Sequence, residues 1–354
     1  MRSCNVNSLY LSMRRTMPAV LFFSFFPFYL MAATDTLPVS RKIEAMSDFV
    51  TLKLSQSSDV ERIGVITPGL DIRLSPNVES ATRLGFSYRF ISFGIRFAPK
   101  LFSDKDDDAL KGKTRSGGFN VGFNFRHWIQ ELSYTRTKGY YLENTPEVDP
   151  TWTPDSPYIQ FPGLSFTQYE GSTAYNFNPD FSVNAIVTQS ERQLKSAGSF
   201  IPVLFYRYYI NDHKTPPEPG GFNQRGDNLE LLLGAGYHYN FVLKEKFYFA
   251  LGLTPAAGYV FSRITNRYET YSESGRQRNF IFRLDGRAGI GYNSQRFFTG
   301  IYMRFAESAY REEKTSVIVE NDRTIFHAVI GFRLNAPSWI KKPVDAVSRT
   351  IGIK

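Results

Sequence analysis

The stretch FSVNAIVTQSERQLKSAGSFIPVLFYRYYI, Phe181 to Ile210, decides how the rest of the chain is read. Its first residues alternate: Phe181, Val183, Ala185 and Val187 fall on one face, Ser182, Asn184 and Thr188 on the other. That is the period of a β-strand with one apolar face, and it predicts a strand over Phe181 to Val187. The alternation stops in a charged and small-residue run, Ser190 to Ser199, before a second aromatic run begins. Elsewhere the chain repeats the first pattern, so the strand is the building unit and the polar run is the exception.

Of the 354 residues 16% are aromatic, including 32 Phe and 21 Tyr, yet the mean hydropathy is −0.29. Many aromatics on a polar average describe strands with one apolar face, as in membrane β-barrels; a soluble array of β-sandwiches is the alternative. The single cysteine, Cys4, lies in the leader, so the remaining chain has no disulfide framework or thiolate metal site. The formal charge of +9 is spread over loops and strand ends rather than gathered in a patch, which argues against a nucleic-acid partner. No metal-ligand spacing is present, and no motif asks for a cofactor.

Arg14 and Arg15 precede an apolar run from Pro18 through Leu30 and the small pair Ala32-Ala33, the layout of a secretory signal peptide. Because no later segment offers about 18 consecutive apolar residues, membrane-spanning helices are excluded. In a bilayer a β-structure must then close on itself, since an open edge leaves backbone groups unsatisfied. The expected organisation is a signal peptide over residues 1–33, a periplasmic lead-in over 34–47, a barrel over 48–335 and a periplasmic tail over 336–354. The expected fold class is all-β, an antiparallel transmembrane β-barrel of about 14 strands, within a range of roughly 12–14, as bacterial barrels favour even numbers. Its expected location is the cell outer membrane, with the lipids there as its first partners.

Phe49 to Ser57 and Gly69 to Leu74 read as the first strands. Leu84, Phe86, Tyr88 and Phe90 then alternate in one phase, and Ile91, Phe93, Ile95 and Phe97 in the other. The run is too long for one spanning strand of about 9–11 residues, so the phase flip predicts a hairpin. Leu229, Leu231, Leu233, Ala235, Tyr237 and Tyr239 alternate without a break. Strand parity, however, conflicts. Counted back from the C-terminus, Ser196 to Ser199 lies in the periplasm; counted forward from the turn at His127 through Asn178-Pro179-Asp180, it lies outside. Either one segment between Asp180 and Asn228 is not a simple spanning strand, or the strand count is off by one. The economical reading is that the chain leaves the wall after Val187, with Glu191 to Ser199 packed in the lumen or at its periplasmic mouth.

The run Thr188 to Phe200 (TQSERQLKSAGSF) is accompanied, in order along the chain, by Gly112-Lys113-Thr114, Lys138 to Leu142, Phe177-Asn178 and Leu229 to Tyr237. Together they resemble a family of uncharacterised Bacteroidetes proteins, a domain of unknown function, over roughly Phe49 to Leu334. The resemblance implies an outer-membrane-type barrel of unassigned activity and adds no mechanism. The Pro-Glu-Pro-Gly-Gly loop after Ile210 is longer than the family leads one to expect.

Thr188, Ser190, Glu191, Arg192, Gln193, Lys195, Ser196 and Ser199 form the candidate lumen cluster. Polar groups inside a lumen need partners, so the cluster could tie an inward fold to the wall; charged rings also select solutes, so it could form a constriction for small or anionic ones. Both readings give a passive channel, carrier or scaffold. The reading from another class is an outer-membrane lipid hydrolase using His238 or His327, which fall on inward strand faces, whereas His127 lies at a turn and His213 in a loop. No Gly-x-Ser-x-Gly elbow supports it. Gly112-Lys113-Thr114 lacks the upstream glycine of a phosphate-binding loop, the position being Asp107. A third reading is a docking protein whose Pro-rich loops bind a protein partner.

Overall fold

The computed structural model describes residues 42–58, 63–67, 70–78, 80–97, 107–125, 127–216, 221–311 and 318–350. The expected signal peptide, most of the lead-in, the Pro-Glu-Pro-Gly stretch at 217–220 and most of the Arg311 to Lys314 loop lie outside the described residues.

The strands, in chain order, are β1 (Ile43–Ala45), β2 (Phe49–Ser57), β3 (Ile63–Thr67), β4 (Leu70–Ser75), β5 (Ala81–Tyr88), β6 (Ile91–Phe97), β7 (Arg115–Asn124), β8 (Trp128–Leu142), β9 (Gln160–Tyr175), β10 (Glu191–Gln193), β11 (Ala197–His213), β12 (Asn223–Leu243), β13 (Phe247–Arg267), β14 (Ser272–Asn293), β15 (Phe297–Arg311) and β16 (Ile318–Asn335). Three helices accompany them among the described residues: α1 (Asp107–Lys111), α2 (Thr145–Val148) and α3 (Ser338–Thr350). Among the described residues twelve strands, β2, β5 to β9 and β11 to β16, pair antiparallel with their neighbours and close where β16 meets β2, Leu334 opposite Val50. This ring of twelve falls within the expected range of roughly 12–14, two below its central count of about 14. The difference comes from two segments with strand-like alternation that do not cross. β4 has six residues, fewer than the roughly 9–11 a crossing needs, and belongs to a hairpin with β3. Phe181 to Val187 forms no strand.

Why the wall closes in lipid is visible along β12. Leu229, Leu231, Leu233, Tyr237 and Phe241 point outward and exposed, Leu233 at 71%, while Glu230, Leu232, His238 and Asn240 point inward and buried. The same division runs through β2, with Leu52 and Leu54 outside and Thr51 and Ser55 inside. Apolar exposure on this scale, strand after strand, suits a hydrocarbon solvent rather than water. Aromatic rings collect near the strand ends, in one group of Trp128, Tyr175, Phe177 and Phe200 and another of Phe247, Tyr292, Phe297 and Phe332. Both groups sit at the end bearing the short turns, as an interfacial girdle does. Leu233→Arg is expected to destabilise the barrel by about 2–4 kcal/mol, as at a bilayer midplane, and Leu243→Arg, close to the turn, by about 0–1 kcal/mol. Urea unfolding in lipid vesicles measures both.

The short connections include Arg89-Phe90, where the expected hairpin occurs with Arg89 at φ 52°, and Lys244-Glu245-Lys246, where Lys244 and Glu245 take φ 52° and 56°. Two successive left-handed residues match the right-handed twist of a tight hairpin. These turns and both ends of the wall lie on one side of the barrel. There α3 lays Ile340 and Val344 on Val50, Tyr88 and Ala336, and Asp345 meets Arg89 at 2.9 Å.

At the opposite end the wall is uneven. β2, β5, β6 and β7 have 9, 8, 7 and 10 residues, against 21, 21 and 22 in β12, β13 and β14. The β3–β4 hairpin spans the low side, β3 pairing β16 at Ile66–Ile318 and β4 pairing β8 at Leu74–Leu142. Asn144, just before α2, accepts from the Arg73 backbone N–H at 3.1 Å and donates to the Asp71 carbonyl at 2.8 Å. The Arg73 guanidinium bonds Glu147 and, as the largest cause, holds that carboxyl below its usual range. Gly112-Lys113-Thr114 serves the same end: the Thr114 hydroxyl donates to the Gly139 carbonyl at 2.7 Å and accepts from the Asn77 N–H at 2.8 Å. Gly139, at φ 91°, has room only for hydrogen, because an added Cβ would lie 2.1 Å from the Lys113 carbonyl oxygen.

Candidate functional site

Between β9 and β11 the chain does not cross the membrane. From Asn176 it turns into the barrel, makes a compact series of turns and leaves at Leu194. The strand expected at Phe181 to Val187 is replaced by this inward fold, and the parity conflict disappears with it: Asn178 and Ser196 are at the same end because nothing between them crosses. The chain leaves the wall at Asn176, earlier than the expected Val187. Phe181 and Ala185 are nevertheless buried, as alternation suggests, and Phe181 joins Ile129, Ala174, Ala197, Ile201 and Val203 of the wall in one apolar cluster. The polar positions are satisfied locally. The Ser182 hydroxyl accepts from the Ala185 N–H at 2.9 Å and donates to Glu191 at 2.5 Å; the Thr188 hydroxyl bonds the Asn184 carbonyl at 3.2 Å and the Ser190 hydroxyl at 2.9 Å.

Gln193 organises the exit. Its Oε1 accepts from the Ser182 N–H at 2.7 Å, and its Nε2 donates to the carbonyls of Asp180 and Lys195 at 2.8 and 2.9 Å. β10 pairs antiparallel with β1, Arg192 opposite Glu44, so the N-terminal strand closes under the inward fold. Arg192 is buried, forms an ion pair with Glu44, and donates to the carbonyls of Asn293 at 3.2 Å and Glu245 at 3.0 Å. Ser199 lies on the inward face of β11, accepting from the Asn178 N–H at 3.0 Å.

The structure thus brings Thr188, Ser190, Glu191, Arg192, Gln193 and Ser199 together, but not Lys195 and Ser196. Both of these are exposed at the rim, and the Ser196 hydroxyl accepts from the Val242 N–H at 2.9 Å. The chain swings out after Leu194, so closeness in sequence does not carry these two inside, and their place in a lumen cluster is withdrawn.

Several residues that hold the plug come from distant strands. Arg333 on β16, 1% exposed, donates from Nε to the Gln189 carbonyl at 2.8 Å, from Nη2 to the same carbonyl at 2.5 Å and to Asn293 Oδ1 at 2.7 Å, and from Nη1 to the Ser294 carbonyl. Asn293 donates to the Ala185 and Glu191 carbonyls at 3.4 and 3.3 Å. Lys53 on β2 donates to the Val187 carbonyl at 2.6 Å, Asn240 on β12 to the Ser182 carbonyl at 3.3 Å, and the Gln189 amide reaches the Tyr302 hydroxyl at 3.2 Å. The sequence signal for Arg333 was its phase: it alternates with outward Phe332 and Leu334.

Above the plug lies a cavity of about 420 Å³. Val183, Ile186, Val187, Thr188 and Gln189 form its floor, and Lys53, Arg83, Arg96, Arg283, Arg287 and Arg304 stand on its walls with Glu131 and Glu170. His238 and His327 also line it. His238 Nε2 meets the Thr254 hydroxyl at 3.2 Å, and Nδ1 has no hydrogen-bond partner. Among the described residues no carboxylate orients the His238 imidazole, as a general base would require. His213 is the last residue of β11 rather than a loop residue, and His127 Nδ1 bonds the Asn176 carbonyl at 2.8 Å. Among the described residues no group of three or more His, Cys, Asp or Glu could hold a metal ion.

Comparison with solved structures finds other outer-membrane barrels. The outer membrane protease OmpT from Escherichia coli aligns at 8% identity over 85% of this chain and 100% of its own, with a TM-score of 0.36. The COG4313 outer membrane channel from Pseudomonas putida F1 aligns at 11% identity over 85% and 100%, TM-score 0.34. The toluene transporter TodX from Pseudomonas putida aligns at 8% identity over 82% and 90%, TM-score 0.31. No curated protein matches the sequence. A family profile described as Domain of unknown function (DUF4421) matches residues 43–334. Because that match runs from β1 through the plug to the last strand of the wall, the chain belongs to the DUF4421 family.

Proposed function

We propose that the protein is a solute carrier of a Bacteroidetes outer membrane, exported by the signal peptide over residues 1–33, whose periplasmic mouth is held shut by the plug. The observation that carries this reading is the cavity that ends on Val187, Thr188 and Gln189. A barrel serving only as scaffold needs no lumen void over a separately hydrogen-bonded floor. Charged groups facing a lumen set which solutes can dwell there. Opening requires the plug to shift, since its bonds reach β2, β12, β14, β15 and β16 at once.

Planar-bilayer recording tests this. The native protein is expected to show almost no conductance, and replacing Ser182 to Leu194 by a short Gly-Ser linker should give steady open-channel steps. A linker variant that folds as a barrel yet conducts no more than the native protein would overturn the carrier reading.

A further inference from the structure

Like charges placed directly opposite on neighbouring strands repel, because their Cβ atoms stand only about 4.5–5.5 Å apart. This wall contains two such pairs. Arg287 on β14 is in register with Arg304 on β15, and Arg83 on β5 with Arg96 on β6. All four line the same cavity. The ring order β14, β15, β16, β2, β5, β6 makes them one continuous arc, with Lys53 of β2 inside it. The carboxylates lining the cavity, Glu131 and Glu170, stand on β8 and β9, outside that arc.

Wall ion pairs account for part of the arc. Arg283 is clamped by Asp285, at 2.6 Å from Nε and 3.0 Å from Nη2, and lies 3.6 Å from Glu230, which also holds Arg207 at 2.6 Å. Arg304 reaches Asp285 at 3.4 Å. Arg287 makes no hydrogen bond or ion pair among the described residues, and its side chain is exposed to the lumen. Arg287 and Arg304 face the void side by side while Asp285 is already shared with Arg283, which leaves positive charge there that water alone screens poorly at close range.

We infer that the cavity above the plug binds a small solute bearing an oxyanion group, carboxylate or phosphate, held between Arg287 and Arg304. Guanidinium forks suit both oxyanions, because each presents paired N–H donors. The volume of about 420 Å³ falls in the usual range for small-ligand pockets. This inference rests on the carrier reading only in treating the lumen as a solute compartment.

The test is titration calorimetry on the full chain in a non-ionic detergent, with citrate and inorganic pyrophosphate as probes and glucose as the uncharged control. Saturable binding of at least one oxyanion is expected, absent for glucose and weaker in high salt. Arg287→Gln should weaken it at least tenfold, and so should Arg304→Gln, each checked for the heat-dependent gel shift of a folded barrel. Absence of saturable binding by both probes, or unchanged affinity in a folded Arg287→Gln variant, would overturn the inference; if one variant fails to fold, the other decides. Oxyanion binding without conductance in the linker variant would refute the carrier reading and leave this one standing. Conductance without oxyanion binding would do the reverse.

Discussion

Arg333→Met is expected to turn a closed barrel into a conducting one. The guanidinium is buried where plug, β14 turn and β16 meet, and all four of its described bonds go to acceptors that have no other cation. Methionine keeps the length and can still pack on Phe298, over which the guanidinium now lies at 5.1 Å. What is lost is the charge-assisted bonding, and the buried acceptors are left unmet, at a cost of about 3–5 kcal/mol. Gln189 adds to the effect. It holds φ 54° without being glycine, a conformation that costs roughly 1–2 kcal/mol and is fixed here by two bonds to its carbonyl. A loss near 3 kcal/mol raises the undocked population by about two orders of magnitude. Bilayer recordings should show open steps, and hydrogen exchange over 182–194 should quicken to match. Native exchange rates and continued closure in the variant would mean that the other strands hold the plug unaided.

The second large effect concerns the wall itself. Glu230, 2% exposed, sits between Arg207 and Arg283. Glu230→Leu removes the carboxylate from between two buried guanidinium groups and is expected to cost about 3–5 kcal/mol, whereas Glu230→Leu with Arg207→Leu should recover most of that, because a whole buried pair can be replaced by apolar groups at little net cost. Chemical unfolding midpoints of the native, single and double variants decide it. A double variant as weak as the single would show that Glu230 acts on something other than this pair.

The wall was legible because a lipid-facing strand must alternate, and β12 does so from Leu229 to Tyr239. The hairpin at Arg89-Phe90 was legible for the same reason, through its change of phase. Alternation over seven residues did not distinguish Phe181 to Val187 from a wall strand. A compact fold that presses Phe181 on apolar wall residues, buries Ala185, and turns Ser182 and Asn184 to its own polar groups has the same two-residue pattern. Parity exposed the error without repairing it. Arg192 and Gln193 were marked by composition, but Lys195 and Ser196 were drawn in with them because sequence cannot show where a chain bends outward. Arg333, Asn293 and Asn240 showed only an inward phase; their common partner, the plug backbone, lies 58 to 144 positions away in the sequence and carries no side-chain signature.

The plug also bears on how the barrel is assembled. Its neighbouring carbonyls at Val187 and Gln189 are gripped by Lys53 and by Arg333, and these stand on β2 and β16, the two strands that meet at the closing seam. β2 is made before every other strand of the wall and β16 after them, so this grip is complete only when the whole wall has been built. Long-range pairings of this kind form late and slowly. Until then β2 and β16 present open edges, the condition in which a β-protein is most prone to mispairing. The final seal of the pore and the final closure of the wall are thus a single event in the folding of this chain.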